Sequence, residues 1–486
     1  MTTITLAWIA LPLFVGFSSY LFPKLDRTFA LGVALVSLGY GLSRMFDPVP
    51  LTLELLDHFG VTLVVDSLSG YFIVTNAVVT AAVVLYCWQQ NKTAFFFTQT
   101  IILHGSVNAV FVCADFMSLY VALEVIGVAA FLLIAYPRTD RSIWVGLRYL
   151  FVSNTAMLLY LIGAVLVYQT QQSFAFTGLQ GAPTEAISLI FLGLLTKGGV
   201  FVSGLWLPLT HSESETPVSA LLSGVVVKTG VFPLVRCALV IEEIDPMIRL
   251  FSVGTALLGV SYAIFEKDTK RMLASSTISQ LGFVLAAPAA AGFYALTHGL
   301  AKASLFLIAG NLPSRNIDEL RRHPISRSMW MVLAIASLSI SGLPLLAGFG
   351  AKVLALKELV PWQGVVMNVA AVGTAIAFAK FIFLPKKQPL SEPAEPTVSR
   401  PKSKAGFWGA MVLLLGGLIV ANSLYLEGYT AMNIVKAAAK IAGGWLAYLL
   451  IFQKLTLKLP RTLEQFEHLI GVMSLMLILL FGMVLA

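Results

Sequence analysis

Seven ionisable side chains of this 486-residue chain lie inside or directly beside long apolar stretches. They are Glu124, Arg148, Lys197, Lys228, His298, Lys302 and Lys352. A charge at the centre of a bilayer costs roughly 2.5–3.5 kcal/mol on insertion scales, so such residues are usually functional. A lysine taken out of water can release its proton near neutral pH. These residues therefore indicate a route for protons or cations.

Four of these residues share a predicted depth. Glu124, Lys197, Lys228 and Lys302 each lie roughly 12–15 Å from the start of their helix, at a rise of about 1.5 Å per residue. Residues four apart lie on one helix face, which places His298 beside Lys302. A layer of ionisable groups joined by water predicts lateral proton transfer between helices.

Arg148 has a different predicted role. A guanidinium does not lose its proton, so Arg148 is interpreted as the counter-ion that keeps Glu124 ionised. The alternative for all these charges is that they only fix the register of packed helices. At least five helices would then accept the cost of insertion for packing alone, which argues against it.

The composition predicts the elements that position these groups. Hydrophobic residues make up 58% of the chain and charged residues 12%, whereas soluble domains have about 45–50% and 25%. Apolar runs such as 187–207 and 407–424 approach the roughly 20 residues that span a bilayer as a helix. No alternating barrel pattern is visible. The first run, 4–22, lacks a basic start and a cleavage site, so we expect a retained helix.

Several function classes are excluded. The net charge of +8 resides in loops between apolar runs, which indicates membrane orientation and not nucleic acid binding. Cys87, Cys113 and Cys237 lie singly in separate segments, without the spacing of a disulfide framework, a zinc site or an iron–sulfur cluster. No dinucleotide motif is present. We therefore expect no cofactor and no metal.

Loop charges predict the topology. About sixteen spanning helices are expected, and bases concentrate in the odd-numbered loops: Lys24 and Arg27; Lys92; Arg138 and Arg141; Lys267, Lys270 and Arg271; Arg315, Arg321, Arg322 and Arg327; Lys386 to Lys404; Lys454, Lys458 and Arg461. This asymmetry places the odd loops in the cytoplasm and both termini outside it. The membrane would be the plasma membrane of a prokaryote or an equivalent energy-coupling membrane.

Two charged segments contain helix breakers. Lys197 is followed by Gly198 and Gly199, and Lys352 is preceded by SGLP at 341–344 and GFG at 348–350. Breaks at membrane depth persist where backbone is buried in protein or lines water, and they mark ion paths in transporters. The two segments are five predicted helices apart, the odd spacing that an inverted repeat requires.

Five segments resemble the antiporter-like subunits, a family that comprises the proton-pumping membrane subunits of complex I and the large subunits of Mrp-type sodium/proton antiporters. They are GSVNAVFVCADFMSLYVALE at 105–124, LTKGGVFVSGLWLPLTHSESETPVSALLSGVVVKTGVFPLVR at 195–236, KDTKRMLASSTISQLG at 267–282, HGLAKASLFLIAG at 298–310 and SGLPLLAGFGAK at 341–352. The segment around Glu124 is more similar to the D-type large subunits of Mrp antiporters than to complex I subunits.

The resemblance implies an all-α polytopic membrane fold of about 14 core helices with two inverted five-helix repeats and about two extra C-terminal helices. The implied divisions are N-terminal helices 1–93, first repeat 94–240, second repeat 241–385, cytoplasmic linker 386–405 and C-terminal helices 406–486.

The resemblance also implies roles for the buried charges. Glu124 and Lys197 would be the carboxylate–lysine pair, Lys228 the bridging lysine, His298 and Lys302 the intervening link, and Lys352 the terminal lysine open to one side. Gln280 stands where members often have His, so one relay position is polar but not titratable. Arg148 stands where many members have Lys.

Three functions remain open at this point. The first is a non-enzymatic subunit of a multisubunit antiporter that exchanges Na⁺ for H⁺, with other membrane subunits as partners in the lipid bilayer. The second is a proton-pumping subunit of a complex I-like oxidoreductase whose redox groups lie in partner subunits. The third is a membrane scaffold with degenerate charges, against which the intact series Glu124, Lys197, Lys228 and Lys352 argues.

Overall fold

The computed structural model describes residues 2–55, 60–387, 404–455 and 457–485, which are almost entirely helical. A small antiparallel hairpin pairs Leu51 with Val65 and Glu54 with Thr62. The first elements in chain order are α1 Thr2–Leu21, α2 Asp26–Met45, β1 Leu51–Glu54, β2 Thr62–Val65, α3 Ser67–Cys87, α4 Ala94–Val110, α5 Phe116–Ile134 and α6 Asp140–Gln171.

The middle of the chain contains two interrupted segments. A 3-10 turn, Phe201–Trp206, separates α7 from α8, and a π-helical turn, Leu222–Val226, separates α9 from α10. The helices here are α7 Thr184–Lys197, α8 Leu207–Glu213, α9 Thr216–Leu221, α10 Lys228–Val240, α11 Asp245–Phe265, α12 Thr269–Ala286 and α13 Ala291–Ala309.

The last part of the chain contains a third interruption, between α15 and α16. Its helices are α14 Ile317–Leu320, α15 Arg327–Ser341, α16 Ala347–Lys357, α17 Pro361–Ile382, α18 Lys404–Asn422, α19 Ala431–Ala447 and α20 Phe466–Leu485. A π-helical turn, Tyr448–Phe452, extends α19. Most of the predicted linker 386–405 lies outside the described residues.

Short polar side chains begin many of these helices. The Asp66 carboxylate accepts a hydrogen bond from the Ser69 amide at 2.9 Å, and Asp115 accepts one from the Ser118 amide at 2.7 Å. Such caps satisfy amides that have no partner in the first helical turn. The same arrangement occurs at Thr139, Asp268, Ser326 and Thr430.

The chain is a multi-pass integral membrane protein. In the described residues, thirteen helical segments are long and apolar enough to cross a membrane. Three further segments, formed by α4, by α12 and by α15 with α16, are shorter or less apolar. Together they account for the sixteen predicted segments.

Ion pairs between loops support the predicted alternation. Lys92 Nζ lies 2.7 Å from Glu215 Oε2, Arg141 Nε lies 3.2 Å from Glu213 Oε2, and Arg315 Nη2 lies 2.9 Å from Asp268 Oδ2. Each pair joins two odd-numbered loops. The basic loops therefore meet at one end of the molecule, which we call the arginine-rich end.

The last two helices pack against two different helices of the core. α19 packs on α17, whereas α20 packs on α7, and residues 457–465, which precede α20, lie at the arginine-rich end. Arg461 Nη2 contacts Glu266 Oε2 at 3.0 Å, and Arg271 Nη2 contacts Glu464 Oε2 at 2.6 Å. Burial raises the pKa of Glu266, but the Asp268 amide and these guanidinium groups lower it overall. The carboxylate therefore keeps its ion pairs at neutral pH.

Candidate functional site: a line of buried lysines

The first break places Lys197 at the end of a helix. α7 ends at Lys197, and Gly199 adopts a φ of +66°, which an L side chain adopts only with strain. Carbonyls freed by the break find other donors, since Trp206 Nε1 donates to Thr196 O at 2.9 Å and the Val200 amide to Leu195 O at 2.8 Å. The predicted broken helix is confirmed.

The Lys197 ammonium lies between α5 and α6. Its Nζ donates to Leu123 O at 3.1 Å and to Ser153 Oγ at 2.6 Å. Glu124 is the next residue along α5 and attracts this ammonium electrostatically. Among the described residues no ion pair joins the two side chains, so a proton moving between them needs a water or a small side-chain movement.

Glu124 is half-buried on an apolar face of α5. Its neighbours on that face, Val121 and Val128, are 56% and 49% exposed. A carboxylate facing hydrocarbon at this depth is costly. The face around Glu124 is therefore suited to being covered by protein.

Lys228 is the first residue of α10, the helix that packs against the first break. Its Nζ donates to Gly224 O at 2.5 Å, a carbonyl inside the π-helical turn. A Cβ on Gly230 would lie 2.2 Å from the Gly198 nitrogen, so α10 reaches the broken backbone only because residue 230 has no side chain. This contact holds the helices that carry Lys197 and Lys228 together.

That contact yields a prediction. Gly230→Ala forces the break away from α10, and we expect a loss of about 1–3 kcal/mol in stability from overpacking together with a loss of transport. Thermal unfolding and transport of the purified assembly measure the two effects. Gly416→Ala is the matched control because nothing lies within 4 Å of a Cβ there. Equal behaviour of both variants would contradict this role of Gly230.

α13 carries the next two ionisable groups. Lys302 Nζ donates to Leu273 O at 3.0 Å and to the hydroxyl of Ser276. His298 is buried, and neither ring nitrogen has a hydrogen-bond partner among the described residues. Both side chains lie within electrostatic reach of Lys228. The predicted grouping of Lys228, His298 and Lys302 is therefore present in the structure.

A small cavity connects His298 to the second break. It has about 10 Å³ of room for a water centre, which suits one molecule, and it is lined by His298, Gln280 and Lys352 among others. Gln280 is held in place, since its Oε1 accepts from Tyr294 OH at 2.8 Å. One water here would join the histidine to the terminal lysine past the non-titratable Gln280.

The second break precedes Lys352. α15 ends at Ser341, Gly342 and Leu345 adopt φ values of +86° and +77°, and α16 begins at Ala347. Lys352 Nζ donates to Ser341 O at 3.3 Å. The break thus offers a backbone carbonyl to the ammonium.

Arg148 does not contact Glu124. Its three guanidinium nitrogens are buried without hydrogen-bond partners among the described residues, and its Cζ lies 5.9 Å from the Trp144 ring. The charges that act on it are those of Glu464, Arg271 and Arg141 at the arginine-rich end. The expected counter-ion contact is therefore absent, because Arg148 points toward that end and away from the layer of Lys197.

Other polar residues within the helices were not predicted as site residues from the sequence. His104 hydrogen bonds to Ser37 Oγ at 2.9 Å and to Thr80 Oγ1 at 3.1 Å, and His211 is buried without a ring-nitrogen partner in the part of the chain that the structure describes. Lys436 and Lys440 lie in the spanning segment of α19. Unlike Lys228, which is fully buried, Lys436 is exposed and Lys440 is partly buried. In the described residues no cluster of His, Cys, Asp and Glu could hold a metal ion.

The architecture defines the class of protein: a helical membrane protein in which two broken helices flank a line of buried lysines, as in ion translocators. The family model "NADH:quinone oxidoreductase/Mrp antiporter, TM" matches residues 113–377, more than half of the chain. The chain belongs to this family.

Similar proteins come from both branches of the family. The D subunit of the Na⁺/H⁺ antiporter of Alkalihalophilus pseudofirmus is 27% identical over 72% of this chain and 80% of its own length. The N subunit of the NADH-quinone oxidoreductase of Desulforudis audaxviator is 28% identical over 77% of this chain and 84% of its own length. A chain in the structure of the Mrp complex from Dietzia sp. DQ12-45-1b matches the fold with a TM-score of 0.72 at 18% identity, covering 97% of this chain and all of that chain.

Proposed function

We propose that this chain is the proton-translocating subunit of a multisubunit Na⁺/H⁺ antiporter. The observation that carries the proposal is the set of buried ionisable groups from Glu124 and Lys197, through Lys228, His298 and Lys302, to Lys352. Every lysine of the series is at least 93% buried, and each Nζ donates to a backbone carbonyl. Each site can therefore hold an ammonium and supply a proton.

The proton path runs across the membrane layer from one broken helix to the other. Neighbouring lysines repel each other when both are charged, so protonation of one favours release from the next. A cation or proton arriving at Glu124 changes the charge balance at Lys197 and starts this sequence. By the positive-inside rule, the arginine-rich end faces the cytoplasm of a prokaryotic cell.

Partner subunits complete the surroundings of Glu124, where the proposed series begins. Glu124 faces outward among valines, and the adjoining face of α6 exposes Phe151 and Leu158 by 59% and 57%. A neighbouring membrane subunit covering this face would shield the carboxylate and deliver the coupling ion to it. The remaining apolar surface contacts lipid.

A second candidate is a proton-pumping subunit of a complex I-like oxidoreductase. The similarity to an NADH-quinone oxidoreductase subunit favours it as much as the similarity to an antiporter subunit favours the first. The same relay serves both, since only the driving reaction in the partners differs.

The deciding experiment uses inside-out vesicles that contain the whole assembly. We expect added Na⁺ to produce a pH change that Glu124→Gln abolishes, and the co-purified partners to be small membrane subunits. A pH change driven instead by a reductant and quinone, with redox subunits co-purifying, would establish the second candidate. Unchanged transport by Glu124→Gln in either assay would contradict both.

A further inference from the structure

A cavity of about 510 Å³ leads to Lys352 from the end of the molecule opposite the arginine-rich end. We call it the outer vestibule. Its floor is formed by Ser341, Gly342 and Lys352, and one wall is formed by α19, one of the two extra C-terminal helices. The vestibule therefore joins the last lysine of the relay to the surface.

The outer vestibule is strongly basic. It is lined by four lysines, Lys352, Lys357, Lys436 and Lys440, and by one acid, Glu427. Lys440 Nζ donates to Asn368 Oδ1 at 2.6 Å, and Lys352 Nζ donates to Ser341 O. In the described part of the chain none of the four lysines forms an ion pair with an acidic side chain. With four lysines and one carboxylate in its lining, the vestibule keeps an excess of basic groups.

Two of these lysines lie on α19. Lys436 and Lys440 are in the spanning segment Ala431–Phe452, roughly 7 and 13 Å from its start. Lys436 is exposed and Lys440 is partly buried, and charged side chains within spanning segments usually face a water-filled space. Both lie on the side of α19 that faces the vestibule. Their placement therefore favours a functional role of the positive charge.

Positive charge in a cleft affects anions and cations in opposite ways. Low-dielectric walls focus the field of a charged cleft and change local ion concentrations and encounter rates by about 10–10³-fold. Metal cations are depleted in such a space and anions are enriched. The same potential acts on a hydrated proton, but the Lys352 ammonium can also exchange its proton through neutral water molecules, a route that a metal cation does not have.

We infer that α19 makes the outer vestibule an electrostatic filter, in which Lys436 and Lys440 exclude metal cations from Lys352 while protons still exchange there. This inference rests on the proposed function for the role of Lys352 in the relay. Lys436 and Lys440 would then determine ion specificity at the outer vestibule, where only protons are released or taken up. The metal cation would cross the membrane elsewhere in the assembly.

A labelling experiment measures the potential directly. Leu356 lines the vestibule, and Leu356→Cys introduces a thiol there while Cys87, Cys113 and Cys237 are buried. Intact cells expressing the whole assembly are treated from outside with two membrane-impermeant methanethiosulfonates, one carrying a sulfonate and one a trimethylammonium. A local potential that changes thiol ionisation affects both reactions equally, so the ratio of their rates reports the ion selectivity.

We expect the sulfonate reagent to react at least about tenfold faster than the ammonium reagent, relative to their rates with a free thiol. Adding Lys436→Glu and Lys440→Glu should reverse that ratio. The control pair Lys454→Glu and Lys458→Glu, at the arginine-rich end of the same C-terminal region, should leave it unchanged. Three results with Leu356→Cys alone would contradict the proposed filter: equal rates for the two reagents, a faster reaction of the ammonium reagent, or no labelling from outside. The readout does not depend on transport, so it fails separately from the proposed function.

Discussion

Lys197→Ala should abolish proton movement by the assembly, to the level of vesicles that lack it. The Lys197 ammonium contacts both α5 and α6, through Leu123 O and Ser153 Oγ, and it is the cationic neighbour of Glu124. Alanine removes both the proton carrier and the positive charge that Glu124 needs. The measurement is the pH change in inside-out vesicles after the driving ion or reductant is added.

The control for this prediction is another buried lysine. Lys380 is 7% exposed, and its Nζ donates to Ala263 O at 3.0 Å and Glu266 O at 2.7 Å, away from the relay. Lys380→Ala should lower the melting temperature but leave transport of the folded assembly intact. Normal transport by Lys197→Ala, with equal amounts of assembly in the membrane, would rule out a relay through Lys197.

Lys228→Arg should impair transport even though it keeps the positive charge. Lys228 is fully buried between the π-helical turn and α13, so its role in the relay requires the ammonium to lose its proton. Arginine does not lose its proton in proteins. Removing a positioned proton donor typically slows a proton-transfer step by about 10²–10⁴-fold, and we expect at least the lower value. Initial rates of the vesicle pH change, after the driving ion or reductant is added, measure the effect.

A companion variant separates charge from proton transfer at this site. Lys228→Met has a similar shape and no charge, and we expect it to be as inactive as Lys228→Arg. Thermal unfolding of both assemblies checks that arginine is accommodated. An active Lys228→Arg beside an inactive Lys228→Met would mean that Lys228 supplies only an electric field.

The sequence allowed much of this account to be predicted, for physical reasons. Hydrocarbon requires long apolar runs, so the sixteen segments could be counted from composition. The cost of buried charge identified Lys197, Lys228, Lys302 and Lys352, and the glycines at 198 and 199 revealed the first break. The ion pairs that join odd-numbered loops support the alternation that the basic residues predicted.

Other features depend on contacts between distant segments, which residue patterns do not contain. Arg148 has the right depth and charge to pair with Glu124, yet its side chain points along α6 toward Glu464, a residue more than 300 positions later. Lys436 and Lys440 lie in a spanning helix, as Lys228 does, but only the packing of α19 places them at the cavity above Lys352. The small cavity beside Gln280, which has room for one water, likewise depends on how distant helices pack together.

The central claim is that titratable groups, and not fixed charges, carry protons through this chain, and Lys352 allows the most direct test. Lys352→Cys places a thiol at the floor of the outer vestibule, which can be modified in the assembled complex with an aminoethyl or a trimethylammonioethyl methanethiosulfonate, and mass spectrometry confirms complete reaction. Both products carry a positive charge, but only the primary amine can release a proton. We expect the amine to restore vesicle proton movement and the quaternary ammonium to leave it abolished. Equal restoration by both products would mean that a fixed positive charge at residue 352 is sufficient.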